Sequence, residues 1–268
     1  MDLDEQKITS FQTKILNFYK QQGRDLPWRN TSNPYYIHLS EIMLQQTQVS
    51  RVINYYQKFI KNFPDLKSLS KAPRYTLLSN WQGLGYNNRV IRLQESAKLI
   101  LEKYDGKYPQ DQKELQSLPG VGSYTSGAIL SFAFNITSKV VDTNIRRILI
   151  HELNLDETTS IKELEEIAYQ VTPSGKAKEW NNALMDYGAL ELTAKKAKIK
   201  PTTKQSKFIG STRWVRSQIV KQLLEQHEIN IKDLETRFHE YNIKEILEKM
   251  QKDQLIKIKN NKVYIFEN

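Results

Sequence analysis

Apolar residues recur at spacings of three and four along the chain up to about residue 191, and this periodicity predicts amphipathic helices. The predicted helices span residues 8–20, 39–61, 89–104, 110–117, 123–134, 160–170 and 178–191, and a further helix begins at Asn144. A pattern that is helical over this length predicts a mainly α fold.

The longest predicted helix, residues 39–61, contains the uncharged polar run Gln45-Gln46-Thr47-Gln48. Ser40 is placed to cap this helix, which puts Glu41 in its first turn. A solvated glutamate favoured by the helix dipole is one interpretation of Glu41. The other is a general acid, which requires enough burial to raise the pKa against the pull of the dipole.

The chain changes character after residue 194. Residues 195–211 contain six lysines and no acidic residue, and we interpret them as a basic linker. Alternating apolar and polar residues around Asn260-Asn261 predict a β-hairpin. Three short helices precede it, near 213–226, 231–239 and 243–252. This order is typical of a winged-helix domain, which reads DNA or binds another protein.

Three consecutive parts are therefore predicted: a helical domain over 1–194, the linker over 195–211 and a winged-helix-like domain over 212–268. The net charge is +10, and residues 195–268 carry 17 Lys and Arg against 9 Asp and Glu. A basic surplus of this size favours a polyanionic partner.

The chain contains no cysteine, which excludes disulfides, a cysteine nucleophile and any iron–sulfur cluster held by cysteines. The acidic N-terminus does not look like a secretory signal. The most apolar stretch, residues 128–134, is far shorter than the about 20 residues that a bilayer requires. We therefore expect a soluble, cytoplasmic protein that acts near the nucleoid and makes no membrane contact.

Leu118-Pro-Gly-Val-Gly122 lies between two predicted helices. Its glycines allow a tight hairpin whose backbone N–H groups approach a phosphate, helped by the positive end of the following helix. Asp142 follows the apolar pair Val140-Val141 and precedes another helix. It is interpreted either as an N-cap or as a carboxylate held ionised at the edge of a pocket.

These stretches resemble the helix-hairpin-helix DNA glycosylases over roughly residues 8–191. Within that superfamily the adenine DNA glycosylases (the MutY group) are the most similar. The motifs that narrow the resemblance are Leu26–Arg29, Pro34-Tyr35, Leu39–Val49 and Trp81–Tyr86. The resemblance implies two helical subdomains with an active site between them. It also implies a monofunctional glycosylase that flips out and removes adenine mispaired with 8-oxoguanine or guanine.

Cleavage of an N-glycosidic bond leaves positive charge on the sugar and negative charge on the base, so two carboxyl groups serve it well. The resemblance implies that Glu41 protonates the adenine ring and then activates water, while Asp142 stabilises the sugar cation. Tyr124 stands where strand-cutting relatives such as endonuclease III carry the lysine that forms a Schiff base. A tyrosine cannot form one, which predicts base removal without strand cleavage.

The resemblance also implies two sets of binding residues. Gln46 and Thr47 would fill the gap left by the extruded base, and Tyr86 would wedge between neighbouring bases. The implied base pocket comprises Arg24, Leu26, Trp28, Arg29 and Asn182, although Trp28 is equally interpreted as core. The implied DNA contacts are Gln45, Gln46, Thr47, Leu84, Tyr86, Arg89, Leu118, Gly120, Val121, Gly122 and Ser123.

The sequence departs from this family in three places. The cysteine ligands that usually begin near Leu192 are missing, so we expect no iron–sulfur cluster and no other cofactor. A winged-helix-like segment stands where a Nudix-like domain is usual. Asn182 replaces the usual Gln or Glu of the base pocket. A monovalent cation held by the hairpin carbonyls of Leu118 and Val121 is the one ion that we consider, and no catalytic metal is expected.

Three functions remain open at this point. The favoured one is a monomeric adenine glycosylase acting on double-stranded DNA with a mispaired base. The second is a relative that acts on another base, such as thymine in a G·T mismatch or a damaged purine. Asn87-Asn88-Arg89 and Asn182 leave room for that change. The third is a silent DNA-binding protein, which would not need Glu41, Asp142 and Tyr124 together.

Overall fold

The computed structural model describes residues 4–199 and 207–267, and helices dominate both ranges. Part of the predicted basic linker, residues 200–206, lies outside the described residues. In chain order the helices are α1 (Glu5–Gln22), α2 (Pro34–Leu44), α3 (Val49–Asn62), α4 (Leu66–Lys71), α5 (Arg74–Trp81), α6 (Asn88–Lys103), α7 (Gln112–Gln116), α8 (Ser123–Phe134), α9 (Thr143–Glu152), α10 (Ile161–Gln170), α11 (Ala177–Asp186), α12 (Ala194–Ala197), α13 (Thr212–Gln226), α14 (Ile231–Arg237) and α15 (Ile243–Lys252). The strands are β1 (Glu228–Asn230), β2 (Ile256–Lys259) and β3 (Lys262–Ile265).

The chain forms two compact units, each of which is discontinuous in sequence. Unit 1 comprises residues 1–41, 108–117 and 121–204. Unit 2 comprises residues 42–107, 118–120 and 205–268. The domains predicted from the sequence, with boundaries at residues 194 and 211, are consecutive along the chain. Each compact unit instead combines segments that are distant in sequence.

The core of unit 1 is built from the apolar faces of α1, α9, α10 and α11. Phe11 packs edge-on against Trp180, with ring centroids 5.3 Å apart. Ile15, Ile148 and Leu149 are fully buried beside them. A 3-10 turn at Pro27–Arg29 follows α1, and a π-helical turn at Tyr187–Glu191 extends α11. These elements form the frame that carries the carboxyl groups described below.

The predicted helix over residues 39–61 is wrong, because two helices occupy that region. The side chain of Asn33 accepts a hydrogen bond from the Tyr35 N–H at 3.0 Å, and α2 begins with Pro34 in the first helical position. Gln46 adopts a positive φ of 56° in the connection to α3. Ser40 caps nothing, since its hydroxyl donates to the Ile37 carbonyl. Glu41 therefore lies in the last turn of a helix instead of the first.

The C-terminal part of unit 2 is a winged-helix arrangement. Helices α13, α14 and α15 accompany a three-stranded antiparallel sheet with strand order β1-β3-β2. Val263 of β3 lies between Ile229 of β1 and Ile258 of β2. The predicted β2–β3 hairpin is confirmed. Strand β1 was missed because three residues are too short to show an alternating pattern.

Within unit 2 the winged helix packs against α5. The hydroxyl of Tyr75 donates to the Leu224 carbonyl at 2.6 Å. The Glu267 carboxylate accepts the N–H groups of Arg74 and Tyr75 at 3.0 and 2.9 Å, at the start of α5. Negative charge at a helix N-terminus is favourable, so this contact fixes the end of the chain to the helical part of the unit.

Every helix in the two described ranges is too short or too polar to span a lipid bilayer.

Candidate active site and DNA-contact loops

Glu41 is buried, as a carboxyl group must be to act as a general acid near neutral pH. Its side chain is only 7% exposed. The pKa of Glu41 is raised to about 7: burial is the main cause and the charge of Asp142 adds to it, while the Tyr124 hydroxyl and the Arg29 guanidinium oppose the shift. Its position in the last turn of α2 adds to the rise, because the negative end of a helix dipole disfavours a carboxylate. The dipole effect thus has the opposite sign from the one expected for a first-turn residue.

Asp142 is both the N-cap of α9 and a neighbour of Glu41. One carboxylate oxygen accepts from the Ile145 N–H at 2.7 Å, and the other accepts from the Asn144 side-chain amide at 3.0 Å. Burial raises the pKa of Asp142, while these hydrogen bonds favour its ionised form. The two interpretations left open by the sequence are therefore compatible in this geometry.

Asn144 was not singled out from the sequence, although it forms a second layer around Asp142. The Arg147 guanidinium donates to the Asn144 side-chain oxygen at 2.9 Å and to the Gly188 carbonyl at 2.8 Å. This contact orients the amide so that its NH₂ group faces Asp142. An asparagine two residues after a capping aspartate carries no sequence signal of its own, because the contact depends on Arg147.

Tyr124, the second residue of α8, completes the cluster through its hydroxyl, which hydrogen-bonds the Glu41 carboxyl. Burial and the two nearby carboxyl groups raise the pKa of Tyr124 well above its ordinary value. The phenol therefore stays neutral and available as a hydrogen-bond donor. The three residues predicted as catalytic lie together in unit 1.

A buried ion network around Asp186 was missed by sequence reasoning. Asp186 is fully buried, and its carboxylate accepts from both terminal nitrogens of Arg29 at 2.7 Å. Arg24 donates to it twice, through Nε at 2.6 Å and through its backbone N–H at 2.7 Å. The hydrogen bonds and charges of these arginines lower the pKa of Asp186 despite its burial. A charged residue on the apolar face of α11 was the available signal.

The remaining predicted base-pocket residues, Leu26, Trp28 and Asn182, are all buried. Leu26 and Trp28 are each 6% exposed, which agrees with the core interpretation of Trp28. Asn182 is buried, and its amide donates to the Lys178 carbonyl one turn earlier in α11. Contact of these side chains with a base stays a prediction.

In unit 2, the buried side chain of Arg89 connects two loops through hydrogen bonds to their carbonyl groups. Its guanidinium donates to the carbonyls of Ile42, Met43 and Gln45 at 2.7, 3.1 and 2.7 Å. It also donates to the carbonyls of Leu84 and Gly85, both at 3.0 Å. Burial lowers the pKa of Arg89 to about 10. Arg89 is only 9% exposed, and its hydrogen bonds position the two loops. A direct DNA contact by Arg89 stays a prediction.

The tips of these two loops carry Gln46 and Tyr86, both exposed and both with positive φ. The Tyr86 hydroxyl donates to the Gln46 side-chain oxygen and accepts from Arg213 of α13. Gln45 and Thr47 flank Gln46 and are half-buried, whereas Leu84 is buried. A polar loop tip backed by a buried arginine is suited to contact a ligand without rearranging.

The hairpin residues differ in what they expose. Leu118 and Val121 are buried. Gly120 has φ +82°, and a Cβ there would lie 3.0 Å from Cβ of Arg92. At Gly122 an added Cβ would meet nothing within 4 Å. No side chain caps α8, so its N-terminal N–H groups, beginning at Ser123, offer an anion site. A cation on the Leu118 and Val121 carbonyls stays a prediction.

The residues near Leu192 do not suit an iron–sulfur cluster. The Leu192 carbonyl accepts from Nε of Arg147 at 2.9 Å, and the following residues form α12. Clusters are held by cysteine thiolates, and the sequence has none. Within residues 4–199 and 207–267, no group of three or more His, Asp or Glu side chains is placed to hold a metal ion.

Comparison with known proteins identifies the class. Residues 39–174, just over half of the chain, match the HhH-GPD superfamily of base excision DNA repair proteins. The chain belongs to this superfamily, and the helix-hairpin-helix glycosylase fold predicted from the sequence is confirmed.

Individual relatives carry two different names. An adenine DNA glycosylase of Buchnera aphidicola subsp. Baizongia pistaciae is 44% identical over 183 residues, which cover 67% of this chain and 52% of that protein. The chain thus spans about half the length of that relative. A thymine/uracil-DNA glycosylase of Methanothermobacter thermautotrophicus is 32% identical over 205 residues, covering 74% of this chain and 91% of that protein.

Among solved structures, a thermostable thymine-DNA glycosylase aligns with a TM-score of 0.67 at 32% identity. The alignment covers 73% of this chain and 92% of that one.

Proposed function

We propose that this protein is a monofunctional DNA glycosylase that extrudes mispaired adenine from double-stranded DNA and hydrolyses its N-glycosidic bond. The observation that carries the proposal is Glu41, a buried carboxyl whose pKa of about 7 leaves much of it protonated at neutral pH. It lies beside Asp142 and Tyr124, in a chain similar to adenine DNA glycosylases.

Glu41 supplies the proton in this mechanism. A departing adenine accumulates electron density on its ring nitrogens, and a proton donated in the transition state stabilises it. Tyr124 holds the carboxyl through its hydroxyl. Once the proton is transferred, the Glu41 carboxylate is a base that activates the attacking water.

Asp142 stabilises the positive charge that develops on the sugar. Its hydrogen bonds from Ile145 and Asn144 favour the ionised form, and they keep the carboxylate in place while the bond breaks. Tyr124 lacks the amine needed for a Schiff base with the sugar, so the product is an abasic site in an intact strand.

DNA is the proposed partner of a protein that acts as a monomer near the nucleoid. The net charge of +10 and the exposed loop tips at Gln46 and Tyr86 support it. Gln46 and Thr47 are proposed to fill the gap in the duplex, and Tyr86 to separate neighbouring bases.

Thymine mispaired with guanine is the second candidate substrate. The observation that favours it is the similarity to the thymine/uracil-DNA glycosylase and to the thermostable thymine-DNA glycosylase, nearly all of whose length this chain covers. Adenine remains the first choice because identity to the adenine-specific relative is higher, at 44% against 32%.

The test is single-turnover base release from three duplexes that carry adenine opposite 8-oxoguanine, adenine opposite guanine, and thymine opposite guanine. Abasic sites are revealed by hot alkali, and untreated samples report strand cleavage. We expect release from the adenine duplexes with no cleavage before alkali. Glu41→Gln, which keeps the size of the side chain and removes the acid, is expected to bind DNA and release nothing.

Release from the thymine duplex alone would replace adenine by thymine as the substrate. Tight binding with no release from any duplex would refute the glycosylase activity. Strand cleavage before alkali would refute the monofunctional assignment.

A further inference from the structure

Unit 2 contains a cavity of about 1000 Å³ that the proposed reaction does not use. One wall is formed by the loops that Arg89 connects, and it includes Gln46, Tyr86 and the exposed side chains of Arg51 and Arg92. The other wall is one face of α13, the first helix of the winged-helix part, with Arg213, Arg216 and Lys221. The volume is ample for a nucleotide, because small-ligand sites occupy about 300–1000 Å³.

The charge of the cavity is strongly one-sided. Six arginines and lysines line it, and among its lining residues in the described part of the chain none is an aspartate or a glutamate. Arg216 also pairs with Asp253, and Lys221 with Glu225 at 3.9 Å, both just outside the lining. Like charges concentrated around one space repel each other and attract an anion.

Helix α13 is joined to the loop tips by direct contact. Arg213 donates to the Tyr86 hydroxyl, and its guanidinium also lies over the Tyr86 ring, 5.3 Å from the centroid. Arg216 donates to the side-chain oxygen of Asn88 at 3.3 Å. The charges of α13 are thus held at the residues that are proposed to enter the duplex.

We propose that this cavity binds backbone phosphates of the DNA strand opposite the extruded nucleotide, and that α13 supplies half of the site. The inference rests on the proposed function, because the cavity lies beside the mispaired base only if Gln46 and Tyr86 enter the duplex there. The winged helix then contributes to DNA binding through its first helix. Helix α15, which reads the major groove in a typical winged-helix protein, lies outside the cavity lining.

The experiment measures DNA binding as a function of salt, and its probe is a duplex with a tetrahydrofuran abasic analogue opposite guanine. This probe needs no base removal. Lys221→Gln is the test variant because Lys221 is exposed and its loss leaves no buried group unpaired. Lys244→Gln is the matched control: the same charge change at an exposed position of the same domain, on α15.

We expect Lys221→Gln to reduce the slope of log affinity against log salt by about 1, which is the loss of one phosphate contact. Its affinity at 0.1 M salt should fall roughly five- to tenfold. Lys244→Gln should keep the wild-type slope. Equal slopes for wild type and Lys221→Gln would overturn the proposal, as would a reduced slope confined to Lys244→Gln.

The strand is tested by replacing single phosphates near the abasic analogue with neutral methylphosphonates. One replacement in the strand opposite the analogue should weaken wild type and leave Lys221→Gln unaffected, because that contact is already lost. Such coupling only in the strand that carries the analogue would overturn the strand assignment. Two readouts separate the two hypotheses. Absence of base release from wild type at saturating protein refutes the glycosylase activity, whereas equal salt slopes for wild type and Lys221→Gln refute the proposal for the cavity.

Discussion

Glu41 owes its chemical character to a position in the last turn of a helix and to the side chains around it. Burial, the adjacent Asp142 and the negative end of α2 all favour its protonated form. Tyr124 and Arg29 oppose them, and the balance leaves the pKa at about 7. A glutamate at the start of an exposed helix would be ionised throughout the neutral range, and it would have no proton to give.

The pH dependence of base release follows from this pKa. The reactive form has Glu41 protonated and Asp142 ionised, so the single-turnover rate constant should fall about tenfold per pH unit above pH 7. It should also fall in acid as Asp142 takes up a proton. Because the two carboxyl groups interact, the two apparent pKa values belong to the pair. A rate constant that stays flat from pH 6 to 9 would contradict the role of Glu41 as the acid.

The stability of the protein provides a check that does not depend on activity. The pKa of Glu41 is about 7 when folded against an ordinary 4.5, so its contribution to stability is complete below about pH 4.5 and is lost as the pH rises through 7. The neutral Glu41→Gln variant avoids this loss. Urea unfolding at pH 8 should show it to be more stable than wild type by about 3 kcal/mol, with the difference vanishing near pH 4.

At the scale of elements, short connections between helices carry the surfaces proposed to contact DNA. The hairpin over residues 118–122 uses its two glycines for different purposes. Gly120 is required by its positive φ and by the approach of Arg92. Gly122 has φ −92°, which any residue adopts, and open space where a side chain would lie. The first glycine serves folding, and the second leaves open space at the start of α8, where we propose that a phosphate binds.

Alanine should therefore affect stability at one of these positions and DNA binding at the other. Gly120→Ala is expected to lower the free energy of unfolding by about 1–2 kcal/mol, because a left-handed backbone conformation is strained in a residue with a Cβ. Gly122→Ala should leave stability within about 0.5 kcal/mol of wild type and weaken DNA binding. Urea denaturation and a binding titration separate the two, and unchanged DNA affinity in Gly122→Ala would exclude a close phosphate.

Arg89 organises a second pair of connections, the loops around Gln46 and Tyr86. Lysine offers three donors from one point, whereas Arg89 distributes its donors over five carbonyls. Arg89→Lys should therefore lower the free energy of unfolding by about 2 kcal/mol. Arg92→Lys, an exposed change three residues further along α6, is the stability control and should have almost no effect. Equal stability of the two variants would disprove the positioning role of Arg89.

At the scale of the whole molecule, each unit is stabilised internally by ion pairs and hydrogen bonds between residues that are far apart in sequence. In unit 1, Asp186 joins Arg24 and Arg29, and Arg147 binds the Leu192 carbonyl where cluster ligands usually begin. In unit 2, Glu267 ties the end of the chain to α5. These contacts need no metal to form.

Removal of metals should accordingly leave the protein unchanged. We expect elemental analysis of purified protein to find no stoichiometric iron. Incubation with a strong chelator should leave both the thermal midpoint and the base-release rate constant within error of the untreated sample. A loss of activity that ferrous iron restores would contradict this expectation.

The sequence by itself determined the helical class and the hairpin motif, because periodicity and motif spacing are local properties that survive without coordinates. Glu41, Asp142 and Tyr124 were singled out by the resemblance to a family of glycosylases, and their catalytic roles are proposals. The sequence misjudged the helix that carries Glu41, since a pattern of apolar residues runs on through a turn that Gln46 breaks with a positive φ. Only the tertiary structure decided the pKa of Glu41, the ion network of Asp186 and the inward role of Arg89. Each of these depends on side chains far apart in the chain, whose contacts fix burial and charge in ways that no local pattern encodes.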